Sequence, residues 1–382
     1  MRSSAAACLA MACGVLVASA AGAEKIAFVK TQLDTAFRSE GVCVGDFNGD
    51  GRLDIAAGSV YYAAPDWKMH VFDSEARQFD PRQYSNSFCN FADDLNGDGR
   101  TDILVVDWPG KQTWWFEQPA QPSGAWKRYT CIEETNNESP AYLDLDGDGR
   151  RELLCASGDR YVIARRGDDP RKPWNLQILS ESVPQWTGRY YHGLGAGDIN
   201  GDGLADVMIP HGYWTAPREK SPGVWAFHPW NIQEKCAQMY AWDFDGDGDQ
   251  DVLCSSAHAV GIWWYEQTPG GWVRHTIDDR FSQTHALCLA DINGDGLPDF
   301  VTGKRWWAHG PTGDVDPNAP AVLYWYELQR RDGTAHWTAH QIDDDSGVGT
   351  QFEVTDVNGD GLLDVAIANK KGVYYFEQRR QP

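Results

Sequence analysis

The sequence predicts an all-β protein: a seven-bladed β-propeller of four-stranded blades, its ring closed by an N-terminal strand that completes the last blade. Three observations predict it. A nine-residue acidic loop recurs seven times, and strand-like stretches follow one another in the same order around each copy. The chain also ends one strand short after the last copy and carries one strand to spare before the first.

The loops read DFNGDGRLD (Asp46, Asn48, Asp50, Asp54), DLNGDGRTD (Asp94, Asn96, Asp98, Asp102), DLDGDGRRE (Asp144, Asp146, Asp148, Glu152), DINGDGLAD (Asp198, Asn200, Asp202, Asp206), DFDGDGDQD (Asp243, Asp245, Asp247, Asp251), DINGDGLPD (Asp291, Asn293, Asp295, Asp299) and DVNGDGLLD (Asp356, Asn358, Asp360, Asp364). Oxygen ligands at positions 1, 3, 5 and 9, with a glycine at position 6 for the sharp turn, suit a hard cation that takes six to eight oxygens. We therefore expect calcium at up to seven sites, held by the residues just named. D-G-D-G is also good turn chemistry, but turns alone do not require acids at the same places in seven copies. A helix-flanked EF-hand would need a glutamate at position 12, where these loops carry Ala57, Val105, Cys155, Ile209, Cys254, Thr302 and Ile367. Charge agrees: the net charge is −22, and setting the loop carboxylates aside leaves acids and bases in near balance. The acidity belongs to ion sites and not to a disordered acidic tail.

The strands follow in order within each repeat. A short apolar stretch enters the loop (LCLA, LGAG, YAW) and a second leaves it (DILVV, DVMI, DVAIA). An aromatic strand comes next (QTWWFEQ, GIWWYEQ, VLYWYEL, GVYYFEQ), then an amphipathic one (GWVRHTI, AHWTAHQI). Most of the 18 tryptophans are thereby expected in the core between blades. The last repeat stops at GVYYFEQRRQP, whereas KIAFVKTQLDT precedes the first loop and reads like the missing fourth strand.

Residues 1–23 carry Arg2, an apolar stretch from Ala5 to about Val17 and small residues ending Ala21-Gly22-Ala23, the layout of a cleaved secretory signal. The propeller is expected to occupy residues 24–382 as one domain, secreted or periplasmic, and monomeric. No later run approaches the roughly 18 apolar residues of a membrane span. The seven cysteines after the signal, Cys43, Cys89, Cys131, Cys155, Cys236, Cys254 and Cys288, show no metal-knuckle spacing and mostly sit in apolar runs. They read as core residues, with one disulfide left open.

Loops and strands together resemble the FG-GAP/VCBS-type repeat family, which includes integrin α-chain propellers and secreted bacterial proteins. The resemblance covers essentially all of residues 24–382 and implies the fold and calcium. It does not imply one activity, because similar propellers serve as adhesins, lectin-like modules and polysaccharide lyases.

In a blade the residue before the first strand and the residue after the second meet on the face opposite the loops. His192 and His211 should thus be neighbours on that face. The same rule gathers Glu40, Glu138, Arg189, Tyr190, Tyr191, Gln238, His285 and Gln351 there from before the first strands, and Tyr61, Tyr62, Asp107, Tyr213, His258, Lys304, Arg305, His309 and Lys370 from after the second, with Trp306 on the same face. The long insertion GKRWWAHGPTGDVDPNAP after the sixth loop is expected to overhang a pocket.

No G-x-S-x-G elbow, Walker loop or H-E-x-x-H helix is present, and no basic, aromatic-studded surface of a nucleic-acid binder. Imidazoles, phenols and cations suit β-elimination on a uronic-acid-containing glycan. A cation (Arg305, Lys304 or Arg189) would neutralise the carboxylate, and His192, His211, His258, His285, Tyr191 or Tyr213 would move protons. Tyr190, Trp306, His309, Gln238 and Glu138 are the expected substrate contacts. The similarity to secreted propeller lyases implies His and Tyr in these roles without assigning positions. Two other readings stand beside this one. The face could bind a glycan or protein without turnover, led by Tyr61, Tyr62, Trp108, Tyr213 and Trp306, or converging imidazoles could ligate zinc in a metal-assisted carbohydrate enzyme.

Overall fold

The computed structural model describes residues 25–381 apart from 122–123, 220–222, 231 and 233–234. The expected signal, 1–23, lies outside the described residues. No helix occurs among them, and so none is long and apolar enough to cross a membrane.

The described strands pair into antiparallel four-stranded units, each built around one acidic loop. The first comprises Cys43–Gly45, Asp54–Ala57, Val60–Ala63 and Lys68–Val71. The second comprises Cys89–Asp93, Asp102–Val106, Lys111–Glu117 and the first half of the long strand Lys127–Leu143. The second half of that strand opens the third unit, followed by Glu152–Ser157, Arg160–Arg165 and Asn175–Ile178. Leu194–Gly197, Asp206–Ile209, Gly212–Thr215 and Ala226–Pro229 make the fourth. Gln238–Trp242, Asp251–Ser255, Val260–Thr268 and Gly271–Ser282 make the fifth. The sixth is Leu287–Ala290, Asp299–Gly303, Leu323–Arg331 and Thr334–Asp343. The seventh takes Glu353–Thr355, Asp364–Asn369 and Gly372–Gln381 from the C-terminus and Lys25–Asp34 from the N-terminus.

Lys25 pairs with Gln381 and the register runs antiparallel to Asp34 opposite Val373, so the spare N-terminal strand completes the last unit as expected. The inner strand of that unit also touches the inner strand of the first, which closes the chain on itself. Two departures from independent blades occur: the second and third units share the strand Lys127–Leu143, and the inner strands of the fourth and fifth pair in parallel through Leu194–Gln238 and Gly195–Met239. Glycine permits the parallel pairing: a Cβ on Gly195 would stand 1.9 Å from the Met239 carbonyl oxygen.

Hydrophobic cores lie between neighbouring units. Cys43, Phe47, Tyr61 and Phe72 of the first pack on Ile103, Trp114, Phe116 and Trp126 of the second, and Trp214, Trp264 and Trp325 fill equivalent seams further round. Burial of each such aromatic stabilises the fold by ~1.5–3 kcal/mol. The cysteines behave as part of this core: all seven described ones are free thiols, six fully buried and Cys288 half-buried, so no disulfide forms.

The ninth residue of each acidic loop ties loop to blade. Asp54 is fully buried, one oxygen accepting the Phe47 N–H at 3.0 Å and the other the Ala64 N–H at 3.0 Å. Asp102 repeats the latch with Leu95 and Gln118, Asp251 with Phe244 and Gln267, and Asp364 with Val357 and Gln378. The first acid organises the turn: Asp46 accepts the N–H groups of Gly49, Asp50 and Gly51, the two glycines at positive φ. The ligand set therefore divides, with positions 1, 3 and 5 on the exposed turn and position 9 serving first as a fold residue.

Candidate functional site

A cavity of about 710 Å³ opens on the molecule, lined by Tyr84, Trp108, Glu138, Tyr190, Tyr191, His192, His211, Lys235, His258, Arg305, His309 and Asp314. None of these residues belongs to an acidic loop. Five of the ten histidines gather at or beneath it, while His70, His228, His275, His336 and His340 all lie on outermost strands.

At its floor three imidazoles converge. His192 Nε2 stands 2.9 Å from His258 Nε2 and 3.3 Å from His285 Nε2. Glu138 joins them, its Oε2 lying 3.3 Å from His192 Nε2 and 3.2 Å from His285 Nε2. The backbone aims this glutamate inward. Asn137, at φ 78°, precedes it where the long strand shifts register against Glu152–Ser157, and a bulge of this kind re-aims a side chain. His285 is fully buried, with its Nδ1 lacking a hydrogen-bond partner, and it emerges from a turn at Gln283 of φ 61°.

Burial and charge set the protonation states. Burial first, then the nearby Arg305 guanidinium, hold the His285 imidazole well below its ordinary value. Burial also lowers His258, against the neighbouring Asp314 carboxylate, which acts the other way. For Glu138, burial raises the carboxyl, but hydrogen bonds from His192 and His285 outweigh it and hold it well below the usual carboxylate range. Arg305, 2% exposed, lies behind the cluster with Nη2 3.1 Å from Glu40 Oε2 and Nη1 3.7 Å from Glu138 Oε2.

A separate pair forms the wall. The Tyr191 hydroxyl shares a hydrogen bond with His211 Nε2, and Trp186 stacks on the His211 ring at 4.9 Å. Burial lowers the His211 pKa and pushes the Tyr191 phenol up to about 12, so a neutral phenol faces a neutral imidazole. An aromatic group also lines the cavity, in which Trp108 packs on Tyr84 at 4.1 Å and on Tyr190 at 5.6 Å.

The structure brings most of the expected residues together and separates several. His192 and His211 share the cavity but hold different partners, so the expected four-histidine cluster divides into a triad and a Tyr–His pair. Tyr213 is not at the site: it stacks on His228 and packs on Trp230, because alternate residues of a strand face opposite sides. Lys304 is fully buried and donates to Ser282 Oγ at 2.7 Å, pointing away from its neighbour Arg305. Arg189 is exposed and packs against Gly110. Trp306 stacks on Trp307 under Lys371. Gln238 lines a separate pocket between inner strands, bonded to Thr350 and Leu287. Tyr61 lies in the seam between the first two units, and Tyr62 is buried with its hydroxyl on Asp34, so neither serves this face. Tyr190 and His309 line the cavity as expected.

Sequence reasoning missed Asp314, Tyr84, Trp186 and Lys235. Asp314 comes from the insertion after the sixth loop, 3.4 Å from His258 Nδ1 and 2.8 Å from His309 Nδ1. The insertion was the available signal; its inner geometry was not.

Two histidine-containing groups could hold a metal ion by proximity, with ligand atoms within 4.8 Å of one another: His192, His258 and His285, and His258, His309 and Asp314. In the acidic loops the same holds for Asp144, Asp146 and Glu152 and for Asp243, Asp245 and Asp251. In the third loop Arg165 lies 2.9 Å from Asp146 and 2.7 Å from Glu152, so a guanidinium already neutralises these two carboxylates.

Among protein families, the FG-GAP-like repeat matches residues 94–155, 144–209 and 243–302, and the FG-GAP repeat matches 40–63. No curated protein matches the sequence. Among solved structures the chain is similar to BBS1N from its complex with ARL6DN, at 8% identity over 91% of this chain and 96% of that one, TM-score 0.54. It is also similar to an Agrocybe aegerita lectin that recognises non-reducing terminal N-acetylglucosamine (13% identity, 95% and 87% covered, TM-score 0.47). Rhamnogalacturonan lyase YesW shares 12% identity over 91% of this chain and 72% of that one, TM-score 0.42. Likeness at such identities is one of fold. The repeats that match span more than half of the sequence, and the chain belongs to the FG-GAP repeat family of β-propeller proteins.

Proposed function

We propose that this protein is an exported, calcium-binding propeller that cleaves a uronic-acid-containing glycan by β-elimination at the large cavity. One observation carries the reading: the Tyr191 hydroxyl and His211 Nε2 form a hydrogen-bonded pair on the wall of an open cavity, within which the other imidazoles gather. In this reading His211 takes the proton from the carbon next to the uronate carboxylate. The electrons form the carbon–carbon double bond as the bond to the glycosidic oxygen breaks. Tyr191 gives its proton to that oxygen and regains one from His211 through their hydrogen bond, so the pair returns to its starting state. The aromatic group of Tyr84, Trp108 and Tyr190 offers sugar rings a stacking surface. Calcium would be held on the acidic loops by the first, third, fifth and ninth residues, for example Asp243, Asp245, Asp247 and Asp251, where it would brace the turns and contribute nothing to the proton transfers.

The test is to incubate the full-length protein with a panel of uronic-acid polysaccharides and follow the ultraviolet absorbance of unsaturated product. Product formed by the wild type and abolished in His211→Asn supports the reading. A second reading, glycan binding without turnover, is favoured by the same aromatic wall; retained polysaccharide with no product from any of the panel would establish it and overturn the first.

A further inference from the structure

We propose that His192, His258, His285 and Glu138 hold one divalent transition-metal ion of the zinc class at the floor of the cavity. The inference deepens the lyase reading and rests on it only for what the ion does to substrate; the site itself stands on geometry.

Zinc bound tetrahedrally at ~2.0–2.1 Å sets neighbouring ligand atoms about 3.3 Å apart. Of the six separations among these donors, three lie at that edge, 3.3 Å between His192 and His285, 3.3 Å between His192 and Glu138 and 3.2 Å between His285 and Glu138, and a fourth, 2.9 Å between His192 and His258, lies somewhat inside it. Hydrogen bonding between neutral rings satisfies only part of the same arrangement. A neutral imidazole presents either a proton or a lone pair at Nε2, yet His192 Nε2 faces two other Nε2 atoms and a carboxylate oxygen at once. A cation at the centre turns every one of these contacts into a ligand bond. Imidazole nitrogen selects against calcium, which takes oxygen, so this site is distinct in kind from the acidic loops.

The surroundings are those of a metal-binding histidine. His258 turns its other ring nitrogen toward Asp314 at 3.4 Å, an arrangement that fixes the ring and raises its basicity as a ligand. Glu138 is backed by Arg305. His192, His258 and Glu138 line the cavity while His285 lies beneath it, so the ion would face the open space with room for a further ligand. Arg305 is committed to Glu40 and Glu138, so the ion would add, beside the exposed Lys235 of the cavity wall, a positive charge able to neutralise a uronate carboxylate and make the adjacent C–H more acidic.

The experiment loads full-length protein with zinc, dialyses it against metal-free buffer and counts zinc and calcium per chain by plasma mass spectrometry. The expected result is about one zinc per wild-type chain, retained by His211→Ala and reduced at least ~10-fold in His192→Ala and His258→Ala. Cobalt in place of zinc should show the visible bands of a tetrahedral site in the wild type and not in those two variants. If His192→Ala fails to fold by circular dichroism, His258→Ala, at the more accessible position, carries the test. No zinc retained by the wild type, or wild-type retention by folded His258→Ala, overturns the proposal. Zinc retained with no glycan cleaved supports the metal site and overturns the lyase reading, so the two fail separately.

Discussion

Asp314 lies 3.4 Å from His258 Nδ1 and 2.8 Å from His309 Nδ1, so one carboxylate from the insertion loop holds two imidazoles on the cavity's edge. Both histidines, after burial has acted the other way, hold this carboxyl well below the ordinary aspartate range. Asp314→Asn should leave the fold intact and lower zinc retention ~10–100-fold, the usual cost of losing an outer-shell partner. Equilibrium dialysis against zinc checks it, and unchanged affinity would reduce Asp314 to a loop anchor.

His211→Asn and Tyr191→Phe each remove one member of the proton-moving pair without emptying the wall. Each should lower turnover of the cleaved polysaccharide by ~10²–10⁴ while melting within a few degrees of wild type. The double variant should be little slower than either single one, because the two act as a unit. Additive losses would mean that they do separate work.

This division of the imidazoles shows what was legible beforehand. Repeat period and loop chemistry dictate the blades and their closure, so the rule that residues before the first strand and after the second share a face placed His192, His211, His258 and His285 correctly. The rule has no resolution below one residue. Lys304 and Arg305 are adjacent in sequence just beyond the end of the strand Asp299–Gly303, yet one side chain goes to Ser282 and the other to Glu40. Tyr213 fails for the same reason. Asp314 and Tyr84 lie in loops without a periodic pattern, where long-range packing alone fixes direction.

Calcium removal supplies a third prediction. Chelation should lower the melting temperature, and added calcium should restore it, since an ion bound only by the folded state stabilises it by ~2.7 kcal/mol at a hundredfold excess over Kd. The third loop should contribute least, because Arg165 already occupies Asp146 and Glu152. Asp144→Ala is therefore expected to shift calorimetric melting less than Asp243→Ala. Equal shifts would remove Arg165 as a competitor.

Acid sensitivity should trace in part to Asp278. Burial raises its carboxyl, but hydrogen bonds from Arg280 and from Tyr326, the latter at 2.6 Å, outweigh this and hold it below the ordinary aspartate value of 3.8. Its stabilising effect is thus complete above that value and is lost as pH falls through the lower folded-state value. Asp278→Asn should be less stable than wild type by ~1.5–3 kcal/mol near neutrality, with the gap closing below pH 3.8. Denaturant titrations at several pH values check it; a constant gap would exclude the linkage.

Arg305 separates two accounts of the site. The sequence suggested a cation that meets substrate, whereas the structure buries its side chain to 3% exposure against a Glu40 side chain at 0%. A cation held this way serves the fold. Arg305→Met should strand the Glu40 carboxylate and destabilise the protein by ~3–5 kcal/mol, since removing one partner leaves an uncompensated buried charge. Adding Glu40→Met should recover part of that loss, because an apolar pair of similar volume carries no such penalty. Recovery will be incomplete, as Glu138 also faces the guanidinium at 3.7 Å. Denaturant unfolding of the three proteins measures each term. If Arg305→Met instead keeps wild-type stability and loses only turnover, the guanidinium acts on substrate, and the ion proposed at His192, His258 and His285 is not needed for charge neutralisation.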